Sequence, residues 1–307
     1  MKFPVRRLTF ATPDFYEQLG TKEKFWIKWR NDRHRYLFKF SRENTGEHWS
    51  EKVAEQLCDC LDIPHAEYEL SVIKRPDSEE YRVGVLSKNI VPENWNMIMG
   101  NEFLYNYAPE VYPKADGCIK HIQEHTIDMV YSAFNEHSLK KPPACLLGID
   151  AWGIFCGYLM LDALISNQDR HHENWAVLRD NENHIYLCPS YDHAASLGRE
   201  LSDENRQTRL NTKDNKHSVP FFVKRARSEL FENTTDKKPL KTTEAFYLAS
   251  SKQPDIKEFW CKKLSLITPD FIDSLFEKFP SGFISEQAKK FAKSVIIENK
   301  KRILNDE

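Results

Sequence analysis

Apolar positions repeat mostly every second residue in the first part of the chain and mostly at helical spacing in the second, with the change near Val91-Pro92-Glu93-Asn94. Phe25-Trp26-Ile27-Lys28-Trp29 and Tyr36-Leu37-Phe38-Lys39-Phe40 read as strands joined by the polar turn Arg30-Asn31-Asp32-Arg33-His34. In the second of these, alternation puts Lys39 on the face opposite Phe38 and Phe40. A lysine so placed usually meets solvent, which is the reading that any functional role has to displace. A helix follows from Trp49 to Asp62, with Val53, Leu57, Cys60 and Leu61 on one face, Ser50 or Thr45 as its cap, and Ile63-Pro64 as its end. Strands are predicted over Glu67 to Ile73 and Tyr81 to Leu86, around the turn Arg75-Pro76-Asp77-Ser78.

Beyond residue 92 the pattern is helical. Ile149 to Ser166 is a helix apolar on nearly every side. As a membrane span it falls slightly short of the ~20 residues required, and it carries Asp150 and Asp162, so a buried helix is expected. Trp175-Ala176-Val177-Leu178 and His184-Ile185-Tyr186-Leu187-Cys188 form a hairpin around Asp180-Asn181-Glu182-Asn183. Ser202 to His217 is polar and reads as a mobile surface loop. Thr268-Pro269-Asp270 starts one helix, and Glu286 to Ile303 forms the closing one, with Lys289, Lys290, Lys293 and Lys300 on its solvated face. The predicted class is α+β, a bilobal arrangement with a strand-rich N-lobe (1–92) and a mainly helical C-lobe (93–307).

At 307 residues, 40% hydrophobic and 29% charged, the chain has ample material for a core and is not of disordered composition. A formal net charge of −2 gives no electrostatic reason to expect direct nucleic-acid binding or an anionic membrane. Met1-Lys2-Phe3-Pro4-Val5-Arg6-Arg7 has no apolar run behind it, so no secretory signal is expected. The seven cysteines are odd in number and show no C-x-x-C spacing, which points to reduced thiols and a cytoplasmic setting; delivery into a host cell as an effector is compatible with that.

The candidate chemistry lies in Asn167-Gln168-Asp169-Arg170-His171-His172-Glu173-Asn174 and in Tyr191-Asp192. A carboxylate stands five residues before an amide, and the hairpin returns a second carboxylate beside them. Phosphoryl transfer from ATP needs an acid to orient or deprotonate the attacking hydroxyl, and an Asn and an Asp to hold Mg2+ on the phosphates. Alone, the Asp-to-Asn step arises by chance in many chains. Here it comes after a strand lysine, Lys39, and a glutamate on the next helix, Glu51, in the order of parts of a protein kinase. Lys39 is then the phosphate contact, Glu51 its partner, Asp169 the base, and Asn174 and Asp192 the Mg2+ ligands.

These segments resemble the HipA-like serine/threonine kinases, toxin components of bacterial toxin–antitoxin systems. Leu164 to Asn174 is similar to that family's D-R-H-x-x-N loop after a helix, and Pro189-Ser190-Tyr191-Asp192 to its ion-binding motif. Gly20-Thr21-Lys22-Glu23-Lys24 resembles its short phosphate loop, and Glu51, ahead of Pro64, its helix glutamate. The resemblance, over Leu19 to Leu197, implies ATP and Mg2+ as cofactors and a protein serine or threonine as acceptor. It implies phosphate contacts from the Gly20–Lys24 loop, Lys39, His171 and His172, and an adenine-facing stretch at Leu86, Ser87, Lys88 and Asn89. The longer members have an additional N-terminal subdomain, whereas here the phosphate loop comes within twenty residues, as in the short members. An antitoxin, or a separate protein supplying that subdomain, is the implied partner. The family's serine before the glycine has no counterpart in Tyr16-Glu17-Gln18-Leu19.

Three rival readings stand beside this one. A phosphoinositide-type lipid kinase can share D-R-H-x-x-N, but its basic stretch is represented here only by Lys224-Arg225-Ala226-Arg227. A kinase-fold binding module without catalysis is disfavoured by the presence of all five groups. A metal hydrolase using His171, His172, Asp169 and Asp192 is disfavoured because the adjacent histidines diverge on a regular backbone and seldom bind one metal.

Overall fold

The computed structural model describes residues 1–8, 15–16, 23–28, 34–74, 80–114 and 120–306. Its first part is a six-stranded sheet of β1 (Val5–Leu8), β2 (Phe15–Tyr16), β3 (Lys24–Lys28), β4 (Arg35–Phe40), β5 (Tyr68–Lys74) and β6 (Tyr81–Lys88), with α1 (Glu47–Leu61) between β4 and β5. The spatial order is β1-β5-β6-β4-β3-β2. Only β1 with β5 is a parallel pair; the other pairings are antiparallel. Phe25, Phe38, Phe40, Ile73 and Leu86 pack together with Leu8 and Ile27. Alternation sends Leu37 and Lys39 the other way, toward the second lobe.

β6 passes very close to β4. A methyl group on Gly84 would lie 2.3 Å from the carbonyl oxygen of Lys39, so only glycine lets the two backbones approach this far.

α1 bridges the two halves. Its Val53, Leu57 and Leu61 belong to the same core cluster as the second lobe. The predicted caps are not used: Gly46 is the N-cap and no side chain caps the helix. Ser50 is instead buried, its hydroxyl 2.7 Å from that of Ser196, and Thr45 donates to the Arg42 carbonyl. Two further ties reach across, from the Gly46 N–H to the Arg199 carbonyl at 2.9 Å and between His48 Nε2 and the Phe283 carbonyl at 2.8 Å.

The second part opens with β7 (Asn96–Met99), which pairs with β8 (Ala176–Arg179), itself paired with β9 (Ile185–Leu187). Around this small sheet lie α2 (Gly100–Tyr107), α3 (Ile127–Glu136), α4 (Ala151–Ile165), α5 (Asp203–Asn211), α6 (Val219–Lys224), α7 (Thr242–Ser250), α8 (Ile256–Leu264), α9 (Pro269–Glu277) and α10 (Glu286–Leu304). Every residue of α4 is buried, as expected of a helix apolar all round. Asp150 caps its start by accepting from the Gly153 N–H at 2.8 Å, and Ser166 ends it in the left-handed region at φ 53°. No helix among the described residues is long and apolar enough to cross a membrane.

A second expectation fails. The polar stretch Ser202 to His217 is not a loop: it holds α5, capped by the Ser202 hydroxyl, and a short 3-10 turn at Asn215–His217. Arg206 explains it, buried and bonded to the Gly198 carbonyl at 3.1 Å, an anchor that a polarity pattern does not show.

Candidate active site

The loop after α4 is fixed from beneath by a fully buried ion pair. Arg170 donates to both oxygens of Asp162, from Nε at 2.7 Å and from a terminal nitrogen at 2.8 Å. Its other terminal nitrogen donates to the Asn174 carbonyl at 2.6 Å, and Asn167 Nδ2 donates to Asp162 at 2.7 Å. A bidentate pair with its remaining hydrogen bonds satisfied is the arrangement in which two charges tolerate an interior. It holds the ends of the 167–174 turn while Asp169 projects outward.

Asp169, His171, Asn174 and Asp192 line one cleft, with Lys24, Lys39, Ser87, Lys88, Asn89 and Lys120. The cleft has a volume of about 320 Å³. Asn174 donates Nδ2–H to the Asp169 carbonyl at 2.6 Å, which leaves its amide oxygen as the atom suited to a cation. Asp192, at φ 56°, donates its N–H to the Tyr68 hydroxyl at 3.1 Å. Its carboxylate lies 3.8 Å from Lys39 Nζ.

Lys39 does not meet solvent; it is only 8% exposed. Its ammonium stands 3.7 Å from Glu51 and faces the Tyr68 ring at 5.6 Å. Burial pushes its pKa down, but Asp192, Glu51 and Glu47 outweigh that and hold it above the ordinary value, so it is charged. Glu51 in turn accepts the His193 N–H at 2.8 Å. His193 is buried, with Nε2 2.7 Å from the Ser190 hydroxyl.

His171 accepts the Glu173 N–H on Nδ1 at 3.2 Å, so the neutral ring carries its proton on Nε2, 4.0 Å from Asp169. Burial lowers its pKa, against the opposing pull of Asp169 and Asp192.

Three candidates from the sequence point elsewhere. His172 turns away from the cleft: its Nδ1 meets the Tyr112 hydroxyl at 2.7 Å, behind the loop, because neighbouring side chains diverge. Leu86 packs under the sheet, and its backbone lies inside the ladder between Glu69 and Phe38. Ser87 and Lys88 do reach the cleft. The Glu23 carboxylate accepts from Arg82 at 2.6 Å at the surface and is not among the cleft residues. Gly20, Thr21 and Lys22 lie outside the described residues.

The sequence reading missed the Asp162–Arg170 support, Tyr68 and Lys120, which forms an ion pair with Asp169. Among the described residues there is no group of three or more His, Cys, Asp or Glu able to hold a metal. The Asn174 amide oxygen and the Asp192 carboxylate, both in the cleft, could hold a Mg2+ ion whose shell phosphates and water complete.

A strand-rich lobe and a helical lobe joined by α1, with a buried lysine–glutamate pair above an Asp-x-x-x-x-Asn turn, make up a fold shared with solved kinases, HipA among them. The structure is similar to a Helicobacter pylori proinflammatory kinase, CtkA, with a TM-score of 0.73 at 20% identity over 98% of this chain and 96% of that one. It is also similar to HipA of Shewanella oneidensis MR-1, solved in a toxin–antitoxin complex with HipB and operator DNA, with a TM-score of 0.55 at 10% identity. That likeness covers 96% of this chain and 66% of that one. No family model and no curated protein matches the sequence.

Proposed function

We propose that the protein is an ATP- and Mg2+-dependent serine/threonine protein kinase of the HipA type. The observation that carries this is Lys39, buried and charged between Glu51 and Asp192, on the wall of the cleft that Asp169 and Asn174 also line. A buried ammonium so held is set to meet phosphate oxygens. Leu37, Ala66, Ile90, Met97 and Tyr191 give the same cleft apolar walls suited to a purine. Asn174 and Asp192 would hold Mg2+, which would supply positive charge against the phosphates. Asp169 orients the acceptor hydroxyl and takes its proton. Lys39 holds the phosphates, and Glu51 and Tyr68 fix Lys39 and Asp192. The HipA–HipB complex motivates an antitoxin-like protein as partner.

The test is transfer from labelled ATP to a proteome extract, beside phosphoinositide vesicles, with Asp169→Ala and Asp192→Ala as controls. Protein labelling that both variants reduce by at least ~100-fold is expected. ATP affinity should survive the first change and weaken with the second, which removes a metal ligand. Robust transfer by either variant would overturn the mechanism, and labelling confined to the vesicles would make the acceptor a lipid.

A further inference from the structure

Lys120 comes from a segment remote in sequence from every motif discussed above, yet its ammonium is paired with the carboxylate of Asp169 and lines the same cleft. Its placement is built. The neighbouring His121 donates its N–H to buried Glu229 at 2.9 Å, and its ring Nδ1 lies 3.3 Å from the same carboxylate. Glu229 continues into a fixed base: its carbonyl accepts from His125 Nδ1 at 2.9 Å, and His125 accepts from Trp175 at 3.1 Å. Lys120, Asp169, His171 and Asp192 all line the same cleft.

We infer that Lys120 is a catalytic residue that contacts the transferred phosphoryl group; this rests on the kinase reading above. In the step, the acceptor oxygen bonds to the γ-phosphorus as the bond to the β-bridging oxygen breaks, ADP leaves, and the hydroxyl proton passes to Asp169. Negative charge spreads over the equatorial oxygens of that group. The catalytic turn offers no cation toward the cleft, because Arg170 is consumed beneath it by Asp162 and His171 is neutral. Lys120 supplies the missing charge from the side of the cleft where it pairs with Asp169.

Lys120→Ala and Lys120→Arg test this, and the side chain is 47% exposed, so both should fold. Turnover and the binding of ADP and of ADP–aluminium fluoride with Mg2+, a mimic of the phosphoryl in flight, are measured in parallel. The expected result for Lys120→Ala is a kcat lower by ~100-fold or more with KM for ATP little changed. ADP affinity should be unaltered and ADP–aluminium fluoride affinity lost in similar proportion, with Lys120→Arg restoring most of both. Unchanged or raised kcat in Lys120→Ala, with Asp169→Ala inactive, overturns the role of Lys120 and leaves the kinase reading intact. A wild-type protein that transfers no phosphate and binds neither nucleotide overturns both.

Discussion

Trp175 donates its indole N–H to His125, which donates in turn to the Glu229 carbonyl, so a fully buried imidazole has both nitrogens committed in its neutral form. Burial pushes the His125 pKa down to about 3. The unfolded chain, with a value near 6.5, therefore binds the proton first. The stability this residue contributes is complete above about pH 6.5 and is lost as pH falls from there toward 3. Between pH 7 and 5 the loss is about 2 kcal/mol. His125→Gln, which can still donate and accept, should flatten the pH dependence of urea unfolding over that interval by this amount; identical slopes in the two proteins would remove the argument. At this scale the sequence was partly legible. Asp169, Asn174 and Asp192 could be paired because one turn and one hairpin bring them together. Lys120 could not, since nothing local connects it to Asp169. Arg170 was visible as a motif residue but not as the buried partner of Asp162.

At the scale of elements, the parts that read correctly are those with a repeated signal. α4 is apolar on every side and capped by Asp150; α9 starts at Thr268-Pro269, whose hydroxyl accepts from Phe271 at 3.1 Å. β1, β2 and β7 are four residues or fewer and, unlike the equally short β8 and β9, have no hairpin turn signal to mark them. The close approach of β6 to β4 is another feature that periodicity does not encode. It bears on the site because Gly84 sits against the carbonyl of Lys39 itself. Gly84→Val should push the strands apart, cost about 1–3 kcal/mol by overpacking, and shift the lysine relative to Glu51. ATP affinity should fall by more than the stability loss accounts for, measured by calorimetry at a temperature where the variant remains folded. Wild-type affinity in a folded Gly84→Val would show that the site tolerates the displacement.

The whole molecule is held together across its cleft by α1. The helix contributes Val53 and Leu57 to the main core, Glu51 to His193, Ser50 to Ser196 and His48 to Phe283. Two lobes so joined should melt as one unit, despite being separable by composition. We expect a single calorimetric transition, and hydrogen exchange of the α1 amides as slow as that of α4. An early transition, or α1 amides exchanging well ahead of α4, would contradict it.

The anchoring of α1 also bears on how such an enzyme would be controlled. Many devices that silence phosphotransfer work by swinging a helix so that its glutamate leaves the lysine. Here that swing would tear the Glu51, Ser50 and His48 bonds to the second lobe at once. The off state is therefore expected to be imposed from outside the helix, by an occupant of the cleft mouth or by how much protein the cell makes. If the proposed activity holds, the site would be assembled as soon as the chain folds, and restraint would be the task of something else.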